Sequence, residues 1–287
     1  MKYGFVAPAL VLLIAMNIFP LLYNIRLSFT SANLSGGTAS FVGTRNYGRV
    51  FEGSDDNRYA AAIRTTAKFV VCAVAIELLL GFALAMVLKD RFPGKTAVLT
   101  ILLIPMMLSP AVMGLYANLL FNEQFGIINR TIAFLGAEHP PAWLTGPGVK
   151  FWTILLIDTW MWTPFMMLIA MAALNSIPRY IYEAAEVDRA GAWLVFRRIT
   201  LPMSAPLLGL AALLRTTDAL KQFDYIMAVT GPNDAATQTL SALMYQVMFK
   251  NAHTGLGSAY SCVVLVIVIA LASVFIRYID RIQSGSG

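Results

Sequence analysis

EAAEVDRAGAWLVFRRITLPMSAP, residues 183–206, is a charged and aromatic run set between segments apolar enough to cross a bilayer. Beyond Glu183 it carries Glu186, Asp188, Arg189, Arg197 and Arg198. Charges in that density do not belong in hydrocarbon, so the run predicts a helical hairpin laid on one water-exposed face of a membrane protein. Asn175 or Ser176 is placed to cap its first helix, Pro178 suits a first turn, and residues 179–189 contain no breaker. Ile181, Ala184, Ala185 and Asp188 fall at helical spacing on one side, with small side chains that let another backbone come close. Gly191 is expected to take a left-handed turn. Trp193, Phe196, Arg197 and Ile199 then make an aromatic and basic second helix, which Pro202 and Pro206 end. On spacing alone the hairpin suits either a protein partner or the lipid headgroups, with Trp193 and Phe196 inward and the arginines on phosphates.

The rest of the 287 residues supports the membrane reading. The chain is 58% hydrophobic and 13% charged, with mean hydropathy +0.69, whereas soluble domains carry about 25% charged residues. Six segments approach the ~20 apolar residues that a spanning helix needs: residues 5–29, 60–88, 97–121, 149–173, 206–229 and 258–276. The expectation is an all-α polytopic protein, one transmembrane domain over residues 1–287 with a cytoplasmic loop at 175–205 and a linker-like 284–287. The first segment exceeds a signal-peptide core and lacks a small-residue cleavage site, so it reads as a retained span. Cys72 and Cys262 both fall in apolar segments and imply neither a disulfide nor a metal site.

Lys and Arg in short loops are retained on the cytoplasmic side. With the N-terminus inside, the inner set is Lys2, Lys89, Arg91, Lys95, Arg179, Arg189, Arg197, Arg198, Arg277 and Arg281; the outer set is Arg45, Arg49, Arg58, Arg130, Lys150 and Lys250. Both termini are therefore expected in the cytoplasm. The net charge of +6 follows from this topology, and no nucleic acid is needed to account for it.

Several other residues invite a chemical reading. KDRFPGKT, residues 89–96, ends like a phosphate-binding loop, but Lys89 stands where that motif needs glycine. The chain is not expected to bind ATP by this route. His139 and His253 are the only histidines and lie in outer loops, so no hydrolytic triad is legible and an enzyme is not expected. The fifth segment carries Arg215, Asp218, Lys221 and Asp224 at three-residue intervals with alternating sign, a spacing that suits pairing along one helix. With Gln222 and Tyr225 these residues suit either a permeation path for a polyhydroxylated solute or a bundle-holding network. Asp158, Trp160, Trp162 and Thr163 place a carboxylate among aromatics in the fourth segment. Sugars bind by stacking on aromatics and bonding to carboxylates, although tryptophan also anchors helices at interfaces. Glu77 and Asn118 are weaker candidates, because one polar residue can simply hold helices together.

The run at 183–202 resembles the EAA loop of binding-protein-dependent ABC importer permeases, particularly the carbohydrate type with the pattern EAAxxDGAxxxxxFxxIxLP. Glu183, Ala184, Ala185, Asp188, Ala190, Phe196, Ile199, Leu201 and Pro202 occupy matching positions, while Arg189 stands where the family keeps glycine. The runs DTWMWTPF, LNSIP, LRTTDALKQFDYI and VTGPN, at residues 158–165, 174–178, 214–226 and 229–233, are similar to the same permeases. The resemblance implies the six-span type I importer fold, with a coupling helix that seats in a cytoplasmic ATPase. It implies a second permease subunit, a copy of this chain or, as is usual for the carbohydrate type, a different one, two ATPase subunits holding ATP and Mg, and an extracytoplasmic solute-binding protein delivering a carbohydrate. No cofactor is implied in this chain. An ion-coupled secondary transporter is the alternative, with the intramembrane acids as ion sites, and a non-transporting scaffold is a third.

Overall fold

A computed structural model describes residues 2–52, 58–136, 138 and 140–284; His139 and residues 285–287 lie outside the described set. Thirteen α-helices are described: α1 Lys2–Ser28, α2 Arg45–Glu52, α3 Arg58–Leu88, α4 Lys95–Met107, α5 Pro110–Leu120, α6 Ile127–Phe134, α7 Lys150–Asn175, α8 Arg179–Val187, α9 Ala192–Val195, α10 Leu201–Leu220, α11 Asp224–Val229, α12 Leu240–Tyr245 and α13 Thr254–Ser284. Among the described residues, β structure is limited to one antiparallel bridge between Thr30 and Phe41. Five helical stretches are long and apolar enough to span a membrane, and α4 with α5 forms a sixth candidate bent by 96°.

That bend corrects the expectation of one straight helix over 97–121. Leu108 and Ser109 are extended, with ψ of 143° and 134°, because a residue before proline is pushed out of the α region and Pro110 has no N–H to continue the ladder. The fifth segment departs in two ways. Its outer end is interrupted: Lys221 and Gln222 donate to the carbonyls three residues back, Asp218 and Ala219, at 3.0 and 3.2 Å. This tightened turn ends α10 at Leu220 and leaves α11 as a separate short helix. At the inner end Pro202 and Pro206 do not stop the chain. α9 runs through a π-helical turn, Phe196–Thr200, directly into α10. The Leu201 amide donates five residues back to the Phe196 carbonyl, which carries the helix past the missing Pro202 donor.

In a bilayer the apolar contacts between helices have no solvent to escape, so close approach and polar bonds decide the packing. Gly81 of α3 lies against α7 so closely that a Cβ there would meet the Met166 Cβ at 2.6 Å and the Met167 amide nitrogen at 2.7 Å. Gly114 of α5 does the same for α11, where a Cβ would sit 2.5 Å from that of Ala228. Asn118 adds a bond from its Nδ2 to the Ala228 carbonyl, 2.7 Å. Phe69, Met113, Phe151, Ile154 and Tyr225 fill the space between α3, α5, α7 and α11. α1 lies mostly outside the packed core, with Ser28 the one buried residue along Val6–Ser28, and is tied near its end by Asn24 Nδ2 to Ser261 Oγ on α13, 2.7 Å.

Candidate functional site

The hairpin forms, with corrected boundaries. α8 starts after Pro178, without a side-chain cap, and stops at Val187; Ser176 closes α7 instead. The left-handed residue after α8 is Arg189, with φ +53°, and not Gly191, which is extended at φ −65° and ψ 150° and precedes α9. The Arg189 amide donates to the Glu186 carbonyl at 3.0 Å and the Ala190 amide to the Ala185 carbonyl at 2.9 Å. These paired bonds satisfy the last carbonyls of α8 in the Schellman arrangement, whose left-handed position usually holds glycine. It is also where the EAA pattern has glycine, so the turn lies where that pattern has it, with arginine in place.

Phe196 meets Phe82 of α3 with centroids 6.1 Å apart and so ties the hairpin to the bundle; within the hairpin the Tyr182 and Thr200 hydroxyls are 3.2 Å apart and Trp193 stacks on Phe196 at 5.5 Å. Ala185 is buried inside the chain, so it packs the hairpin from within and presents no knob outward. Glu183, Ala184, Asp188, Gly191, Leu201 and Pro202 are exposed. The outward face is therefore Glu183 and Ala184, with Val187 beside them.

At the centre of the bundle the charges are arranged differently from the helical ladder expected. Arg215 points across to other helices: its Nε donates to Glu77 Oε2 at 2.7 Å, its Nη2 to Glu77 Oε1 at 3.1 Å, and Nη2 also to Asp158 Oδ2. Glu77 and Asp158 are 0% exposed and Arg215 is 1% exposed. The Tyr225 hydroxyl donates to the second Asp158 oxygen, and the guanidinium lies 5.0 Å from the Trp162 ring centroid. Four helices, α3, α7, α10 and α11, are thus joined at one buried cluster. Glu77, ranked low from the sequence, is one of its anchors; nothing local marks it, because its partner is 138 residues away.

The remaining candidates separate from that cluster. Asp218 and Lys221 form an exposed pair at 3.7 Å, and Asp224 is exposed. The Trp162 Nε1 and Gln222 Nε2 donors are buried without a partner among the described residues. Trp160 lies on the opposite side of α7, in a groove of about 550 Å³ with Leu80, Leu84, Ile101, Pro105 and Leu156. The structure thus does not gather Asp158, Trp160, Trp162, Asp218, Lys221, Gln222, Asp224 and Tyr225 into one pocket.

Charged hairpin, continuous inner helix and spanning bundle together define the membrane-embedded permease of a type I ABC importer. The chain belongs to the family of binding-protein-dependent transport system inner membrane components, matched over residues 77–283. It is 34% identical to the trehalose/maltose transport system permease protein of Thermococcus litoralis, over 83% of this chain and 79% of that one. It is 31% identical to the trehalose transport system permease protein of Mycobacterium tuberculosis, over 99% and 90%. The sulfoquinovosyl glycerol transport system permease protein of Agrobacterium fabrum is 33% identical, over 95% and 88%. The fold matches a bacterial ABC transporter involved in the import of the acidic polysaccharide alginate, with TM-score 0.84, 19% identity and coverage of 98% and 95%. Nothing in the site or in these relatives favours the ion-coupled alternative.

Proposed function

We propose that this chain is one of two permease subunits of an ATP-driven carbohydrate importer, with α8 as the contact to a cytoplasmic ATPase. The carrying observation is that Glu183 and Ala184 are exposed on a capped helix that the tight turn at residues 188–191 joins to α9, which is continuous with the spanning helix α10, so force at α8 passes inward through that turn. A second, different permease, two ATPase subunits with ATP and Mg, and an extracytoplasmic solute-binding protein complete the assembly, and both termini of this chain face the cytoplasm. No cofactor belongs to this chain. Asp218, Lys221 and Asp224, with exposed charges, are the residues proposed to face the solute, with Trp162 and Gln222 behind them, whose unpaired donors are buried here. Asp158 and Tyr225 serve the path from inside the buried cluster. The test is uptake by the assembled importer carrying Glu183→Arg with Ala184→Trp. Loss of uptake and of solute-stimulated ATP hydrolysis, with normal membrane insertion, is expected; wild-type uptake refutes the coupling role of α8.

A further inference from the structure

We infer that the Glu77–Arg215–Asp158–Tyr225 cluster is the joint that carries movement of the cytoplasmic hairpin across the break in the fifth span to α11. The inference rests on the reading of α8 as the ATPase contact. From Ala192 the chain is helical through the π turn to Leu220, so Arg215 sits roughly 35 Å from the start of that helix at 1.5 Å per residue. Beyond Leu220 the backbone cannot push α11 as one rod, because Lys221–Phe223 interrupts it.

The side chains bridge the gap. Arg215, on the driven side, grips Asp158, and Asp158 grips the hydroxyl of Tyr225 on the far side of the break. The same guanidinium holds Glu77 on α3 through two nitrogens. A planar fork fixed on two carboxylates tolerates little sliding, unlike an apolar contact, which slips by one rotamer. The cluster therefore ties α10, α3, α7 and α11 into one moving unit. A role as a simple rivet explains less, since a buried ion pair adds little stability over a well-packed apolar replacement. α11 in turn lies on α5 through Gly114 and Asn118, so its displacement reaches a third candidate span, the bent pair α4–α5.

The test uses the complete importer in proteoliposomes, with its partner subunits and solute-loaded binding protein. Spin labels are placed at Val187, exposed on the hairpin, and at Ala235 beyond α11, after replacing Cys72 and Cys262. In Glu77→Gln the complex is expected to assemble and to keep basal ATP hydrolysis, while stimulated hydrolysis and uptake fall about tenfold. ATP is expected to shift the Val187 label still and the Ala235 label no longer; Glu77→Asp should restore part of both. If Glu77→Gln does not assemble, Arg215→Lys, which keeps the charge but loses the two-nitrogen grip on Glu77, carries the same readouts. Wild-type stimulation together with movement of both labels overturns the joint. A wild-type complex whose Val187 label ignores ATP would instead overturn the hairpin reading on which it rests.

Discussion

The amide of Arg189 donates to the carbonyl of Glu186 at 3.0 Å while Arg189 itself holds φ +53°. An L-residue with a Cβ is disfavoured there by about 1 kcal/mol, a penalty glycine does not carry. Arg189→Gly is therefore expected to firm the turn, with part of the gain offset by the greater freedom of glycine in the unfolded chain. The direct readout is hydrogen exchange at the Ala190 amide, which donates to Ala185: slower exchange in Arg189→Gly and faster in Arg189→Val. Equal protection in all three proteins would remove the strain argument.

The same turn shows what the sequence could and could not disclose. The hairpin is legible because charges, small residues and prolines cluster where hydrocarbon cannot hold them. The sequence points to Gly191 as its left-handed residue because glycine is the usual bearer, whereas the position is fixed at Arg189 by the end of α8 and by which amides reach Ala185 and Glu186. Pro110 marks the bend in the third segment by the ordinary proline rule. The Arg215 cluster was illegible for another reason. Spacing shows neighbours along a helix, and here the helix ends before the ladder does, while Glu77 and Asp158 arrive from α3 and α7.

Gly81 should resist any larger residue. Its missing Cβ faces the Met167 backbone nitrogen at 2.7 Å, and backbone does not yield as a flexible side chain does. Gly81→Val is expected to cost about 1–3 kcal/mol, toward the upper end, and to lower the melting temperature of the detergent-solubilised protein. Gly148→Ala, with no atom within 4 Å of the added Cβ, serves as the control. A melting point unchanged in Gly81→Val would mean that α3 and α7 are not packed as closely as the structure places them.

Removing one member of the buried cluster should hurt more than removing all of its charges. Arg215→Met leaves Glu77 and Asp158 buried without their cation, a loss of about 3–5 kcal/mol. Combining it with Glu77→Leu and Asp158→Leu should recover most of that stability, although not transport. Denaturant unfolding in mixed micelles compares the two proteins. A triple variant as unstable as Arg215→Met would show that packing volume, rather than uncompensated charge, dominates at this site.

Pro202 sets the angular register between hairpin and span. With no N–H of its own it leaves the ladder broken, and the Leu201 amide reaches back to Phe196 across the π turn. Pro202→Ala supplies the missing donor and allows the extra residue of the π turn to be absorbed into regular α-helix. One residue of helix is about 100° of rotation, since a turn holds 3.6 residues, so α9 and the Tyr182–Thr200 contact would turn relative to α10. Glu183 and Ala184 would then face away from their docking direction even though the helix is locally better formed. The expected outcome is a protein of equal or higher melting temperature whose solute-stimulated ATP hydrolysis in the assembled importer falls several-fold. Unchanged stimulation with the π turn lost would show that the hairpin's orientation is set elsewhere.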